Sequence, residues 1–146
     1  MSMFSEAIRN TSITVPALAW IIAQLIKAGT DLATQRRIDF RRLVSAGGMP
    51  SSHTAYVVSL AAVVGKNEGV SSALFAACLA FAMVVMYDAA GVRRAAGKQA
   101  KLLNALMSTH FPGEAFNERL KELIGHKPLE VLVGAIFGVI MGVMLG

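Results

Sequence analysis

Hydrophobic side chains gather in four runs along the chain, at residues 13–29, 54–65, 70–91 and 129–146, with polar connections between them. A helix that crosses a bilayer needs roughly 20 apolar residues, within a range of about 17 to 25. The third and fourth runs meet that length. The first meets it by accepting Gln24, and the second is short and rich in small residues. A helix of the second kind either sits inside a bundle or dips into the bilayer without crossing it. The pattern predicts an all-α integral membrane bundle with about four membrane-embedded helices. The fourth run carries glycines at 134, 138, 142 and 146. That spacing lines one helix face with small residues and lets another backbone approach closely. Two readings stand for this face, a seam within the bundle or the interface of a homodimer.

The connections differ in length and charge. Residues 30–52 carry four arginines, "KNEG" at 66–69 is a tight turn, and residues 92–128 form the longest connection. The first part of the latter reads as an amphipathic helix, with Ala100, Leu103, Leu106 and Met107 on one side and Arg94, Lys98 and Lys101 elsewhere. "FPGE" interrupts it, and "AFNERLKELIG" reads as a second short helix ending at Gly125. Helices of this type lie at the membrane surface. No repeat, low-complexity tract or linker divides residues 1–146, so a single membrane-embedded domain is expected.

Composition supports lipid as the solvent. Hydrophobic types make up 55% of the 146 residues and charged types 16%, with a mean hydropathy of +0.57. Soluble domains carry roughly 25% charged residues. The net charge of +5 is not organised into a basic patch interleaved with aromatics, so nucleic acid is not an expected partner; membrane lipids are. The lone cysteine, Cys78, cannot form an internal disulfide and implies no oxidising compartment. Eleven of the fourteen basic residues fall in the first and third connections. The positive-inside rule places those connections in the cytoplasm and both termini outside. The N-terminus lacks a basic stretch and a small-residue cleavage site, so the first run is expected to stay in the membrane.

Four crossings bring the chemically interesting residues to one membrane face. Lys27 ends the first run, His53 opens the second, and Asp88, Arg93 and Arg94 end the third. His126, Lys127 and Glu130 open the fourth. Ionisable groups near a bilayer are costly and mark function. This set suits an anion. Lys27, Arg93 and Arg94 can neutralise a phosphate, arginine bidentately. The loop "GGMPSSH" leads into a helix N-terminus, where backbone N–H groups and the helix dipole favour negative charge. Gly47 and Gly48 permit close backbone approach, and Ser51 or Ser52 can cap the helix or meet a phosphate oxygen. Two histidines offer a nucleophile and a proton donor. No cluster of metal-ligating residues is evident, so no cofactor or metal is expected.

Together, "GGMPSSHTA", "YDAAGVRRAAGKQA" and "GHKPLEVLVG" resemble the divergent membrane branch of the type-2 phosphatidic acid phosphatase superfamily, which also includes vanadium-dependent haloperoxidases. The resemblance runs from "AQLIK" to Gly134. It implies that His126 is the phosphoryl-accepting nucleophile, with Glu130 as its orienting carboxylate. His53 becomes the general acid, Ser51 a phosphate contact, Lys27 the phosphate-binding lysine, and Arg93 and Arg94 the candidate arginines. Asp88 fits as a partner that holds the double arginine. This chain departs from the superfamily pattern in four places. Ser52 stands for glycine, and Glu130 for aspartate. The lysine motif lacks its Arg-Pro pair, and no Ser-Arg closely precedes His126. With Pro128 at the first helical position, Glu130 has an alternative role as a helix cap.

The expected activity is hydrolysis of a lipid phosphate monoester at the cytoplasmic face. Phosphatidylglycerophosphate, phosphatidate and a polyprenyl phosphate are the substrates the resemblance suggests. The rival is a non-catalytic anionic-lipid or phosphate-binding membrane protein, a transporter or an assembly partner, which the missing Ser-Arg favours. A vanadate-dependent oxidase suits a membrane-embedded site less well. Of the remaining polar residues, His110 is expected in a loop. Arg36, Arg37, Arg41 and Arg42 are expected to meet lipid headgroups. Gln99 and Asn104 receive no role.

Overall fold

The computed structural model describes residues 3–35, 48–110, 120 and 125–146. The "AFNERLKELIG" helix and the four arginines of the first connection lie outside the described positions, apart from Leu120 and Gly125. Among the described residues the chain is all-helical: α1 (Met3–Arg9), α2 (Thr11–Gln35), α3 (Ser52–Glu68), α4 (Ala73–Tyr87), a π-turn (Asp88–Val92), α5 (Arg93–His110) and α6 (Pro128–Leu145). Three stretches of the described residues are long and apolar enough to cross a membrane: Thr11–Thr30, Ala73–Thr109 and Pro128–Leu145. The expected all-α membrane bundle is what the chain forms.

The short second run becomes the centre of that bundle. α3 packs against α2, α4 and α6, and nine of its seventeen residues are buried, Ser52, Thr54 and Ser59 among them. A helix wrapped by other helices meets little lipid, so it needs neither length nor uniform hydrophobicity. The lipid-facing helices show the reverse. Leu79, Met83 and Val84 of α4 are exposed, as are Leu132, Ile136 and Val139 of α6.

α3 and α6 run parallel, both starting at the same end of the bundle, while α2 and α4 run the other way. The glycine face of α6 is the seam. A Cβ at Gly134 would stand 2.6 Å from Ser51 O, one at Gly138 2.8 Å from Ala55 O, and one at Gly142 2.8 Å from Ser59 O. Each four-residue step on α6 thus meets a four-residue step on α3, backbone against side-chain-free backbone. Of the two readings of this face, the intramolecular one holds. At the end away from the histidines, Lys66 Nζ donates to Val143 O at 3.1 Å and to Gly146 O at 2.5 Å. A cation at a helix C-terminus complements its dipole.

The amphipathic helix expected after the third run is not a separate surface element. It is α5, joined to α4 through the π-turn without a break in helical structure. His110, expected in a loop, is its last residue. Asn104 gains a role: its Nδ2 donates to Leu120 O at 2.9 Å and its Oδ1 accepts from Leu120 N at 3.1 Å. The side chain satisfies both backbone groups of one residue sixteen positions on.

Candidate functional site

The loop before α3 is built by backbone chemistry. Gly48 has φ +95° and lies against the stem of Lys27, where a Cβ would come within 2.7 Å of Lys27 Cε. The positive φ calls for glycine, and a larger residue would also push the Lys27 side chain aside. Ser51 is the N-cap of α3. Its hydroxyl accepts from Thr54 N at 3.4 Å and from Thr54 Oγ1 at 3.0 Å, and the residue is fully buried. Its own N–H donates to Glu130 O at 3.1 Å, tying the loop to the first turn of α6. Of the two roles read for Ser51, the cap is the one its contacts fill. Ser52 is buried beside it, and His53, one position further, is exposed.

On the facing side, the π-turn positions His126. In an α-helix the Ala89 carbonyl would accept from Arg93 N. Here the Arg93 N–H reaches back five residues to Asp88 O. The Ala89 carbonyl, spared that bond, accepts the His126 N–H at 3.1 Å. Gly125, just before, lies so close to α5 that a Cβ would meet Arg94 Cα and N at 2.4 Å. The same π-turn aligns Asp88 with Arg93, five apart, so that Arg93 Nε donates to Asp88 Oδ2 at 2.5 Å. Both side chains are partly exposed, where ion pairs are worth roughly 0–1 kcal/mol. The pair therefore matters for orientation more than for stability. Arg94, about 100° round the helix, presents an exposed side chain on another face.

Lys27 and His126 are each only 4% exposed. The charges of Lys27 and Arg93 act on both His53 and His126, and the two histidines lie within electrostatic reach of each other. The structure thus brings Lys27, His53, Arg93, His126 and Glu130 to one place from α2, α3, α5 and the start of α6. Burial, chiefly, holds the His126 pKa below its ordinary 6.5; Glu130 opposes this, and His53, Lys27 and Arg93 reinforce it. The imidazole is accordingly neutral at neutral pH. Its Nδ1 is buried with no hydrogen-bond partner among the described residues. The Glu130 carboxylate instead caps α6, its Oε2 accepting from Lys127 N at 3.1 Å. This is the alternative role read from Pro128, and it leaves Glu130 acting on His126 through charge. Among the described residues no three His, Cys, Asp or Glu side chains are grouped to hold a metal.

Two features of the site had no signal in the sequence: the π-turn that frees the Ala89 carbonyl, and the tie from Ser51 to Glu130. Gly91 within "YDAAGVRR" is the one hint of an irregular helix, and it does not specify a register.

An all-helical membrane bundle with two histidines, a buried lysine and an arginine at one end defines the class of protein. The sequence profile described as the Divergent PAP2 family matches residues 8–141, and the chain belongs to that family. It is 38% identical over 152 aligned positions to YuiD, an uncharacterised membrane protein of Bacillus subtilis strain 168, covering 96% of each chain. No solved structure matches it significantly. The protein is an integral membrane protein.

Proposed function

We propose that the protein is a lipid phosphate phosphatase that hydrolyses phosphate monoesters at the cytoplasmic membrane face through a phosphohistidine. The observation that carries this reading is the buried, neutral imidazole of His126 beside a second histidine and two cations. Lys27 and Arg93 hold the phosphate. Asp88 occupies Arg93 Nε, so the guanidinium offers its two terminal nitrogens as a fork. A nitrogen of His126 attacks phosphorus, the N–P bond forms, and the P–O bond to the lipid alcohol breaks. His53 gives its proton to the leaving oxygen. Water then attacks the phosphohistidine, His53 takes a proton from it, and phosphate and neutral His126 are released. Burial, and then the charges of Arg93 and Lys27, hold the His53 pKa below its ordinary 6.5; a dianionic phosphate offsets the two charges, so binding favours the protonated acid. Ser51 and Gly48 shape the loop. Phosphatidylglycerophosphate, phosphatidate and polyprenyl phosphates are the substrates to try.

The test is phosphate release from these three lipids by purified protein in mixed micelles, with His126→Ala as control. Release that vanishes in the variant supports the reading; no release from any lipid overturns it. One observation favours a second reading, binding of a lipid phosphate without turnover: the Glu130 carboxylate is engaged in capping, and among the described residues His126 Nδ1 has no carboxylate partner. Tight binding with no release, unaffected by His126→Ala, would decide for it.

A further inference from the structure

α2 and α4 flank α3 on either side, and among the described residues they do not pack extensively on each other. Between them lies an open cleft of about 460 Å3. Its walls are Ala17 and Trp20 of α2, Tyr56 and Val57 of α3, and Phe81 and Val85 of α4. His53 and Arg93 line its other end, so the cleft is continuous with the anion site. Its extent follows from helix rise. Phe81 and Arg93, both in its wall, are twelve residues apart, or roughly 18 Å at 1.5 Å per residue. The hydrocarbon core is about 30 Å thick, so the cleft runs the depth of about one leaflet.

We propose that this cleft holds one hydrocarbon chain of a lipid phosphate monoester, which enters sideways from the leaflet with its phosphate at Arg93 and His53. The proposal rests on the phosphatase reading for the chemistry at the head but not for the binding of the tail. Charge complementarity selects the occupant. An apolar trough ending on a cation and a histidine fits a ligand with a long apolar tail and an anionic head. A second copy of the chain would have to bring an acidic group to Arg93. Chains in the bilayer are already among hydrocarbon, so the cleft adds little affinity per methylene. It fixes the direction from which the phosphate reaches the histidines.

Two measurements test this. The first compares kcat/KM of Ala17→Phe with that of the unaltered protein on a long-chain lipid phosphate and on a short-chain soluble phosphate monoester. The long-chain value should fall at least ten-fold more than the short-chain value; equal losses would overturn the proposal. The second needs no variant that narrows the cleft. Photoreactive benzoylphenylalanine is placed at Phe81 or, as control, at lipid-facing Ile136. The protein is then illuminated in bilayers of phosphatidylcholine with a minor fraction of phosphatidate. Phosphatidate adducts at Phe81 should be enriched at least ten-fold over its share of the lipid, against none at Ile136, and Arg93→Gln should abolish the enrichment. Adducts in proportion to bulk lipid, or adducts joining two copies of the protein, would overturn it. Enrichment without phosphate release from any lipid would defeat the phosphatase reading alone. Release without enrichment would defeat the cleft proposal alone.

Discussion

His126 and His53 have different chemical tasks in the proposed reaction, and the difference is measurable. A general acid is worth about 10²–10⁴-fold, and most for a poor leaving group. His53→Ala should therefore slow hydrolysis of an alkyl phosphate by at least about 100-fold, and that of an aryl phosphate, whose leaving group needs no proton, much less. His126→Ala should abolish both. Comparison of initial rates on the two substrates checks the assignment. Glu130 gives a second prediction. Glu130→Gln keeps an acceptor for the Lys127 N–H, since glutamine serves in a capping box, but removes a charge that raises the His126 pKa. The nucleophile then stays neutral to lower pH. The acid limb of kcat/KM, already below 6.5 because burial lowers the pKa, should move further down. A limb that moves up would contradict the electrostatic role. At this scale the histidines, Lys27 and the arginines stood out as polar residues at the mouths of apolar runs. Only the backbone geometry separated Arg93 from Arg94 and turned Ser51 into a buried cap.

Among the elements, the α3–α6 seam and the π-turn carry the site. Gly138→Leu would drive a side chain into Ala55 O and the Val58 side chain. Overpacking of this kind costs typically 1–3 kcal/mol, and here the obstacle is backbone. The protein should lose thermal stability in detergent, whereas Val139→Leu, on the lipid face, should not; melting curves by circular dichroism decide. Deleting Gly91 would take one residue out of the π-turn and rotate α5 by about 100° against α4. The Ala89–His126 tie should be lost and kcat should fall at least about 100-fold while helical content is retained. The glycine spacing announced a close helix contact because small residues every four positions have few other uses. The π-turn could not be announced, since hydrogen bonds displaced by one residue leave the hydrophobic pattern nearly unchanged.

For the molecule as a whole, the hydrophobic pattern located all four membrane-embedded helices. It could not show that the shortest is the central one, because the sequence does not say which helix is wrapped by the others. By the positive-inside rule the basic connections are expected to orient the bundle with the site facing the cytoplasm. In a Cys78→Ala background, an impermeant maleimide added to intact cells should label Asn67→Cys and spare Met49→Cys, both exposed positions at opposite ends. The reverse pattern would invert the topology.

The central claim is that phosphorus passes through His126. Its most direct test is to incubate the purified protein with a phosphatidate labelled in the phosphate, quench in alkali, where phosphohistidine survives, and locate the label by mass spectrometry. The account predicts label on His126, absent from His126→Ala together with phosphate release. Undiminished release by His126→Ala, or label on any other residue, would contradict it.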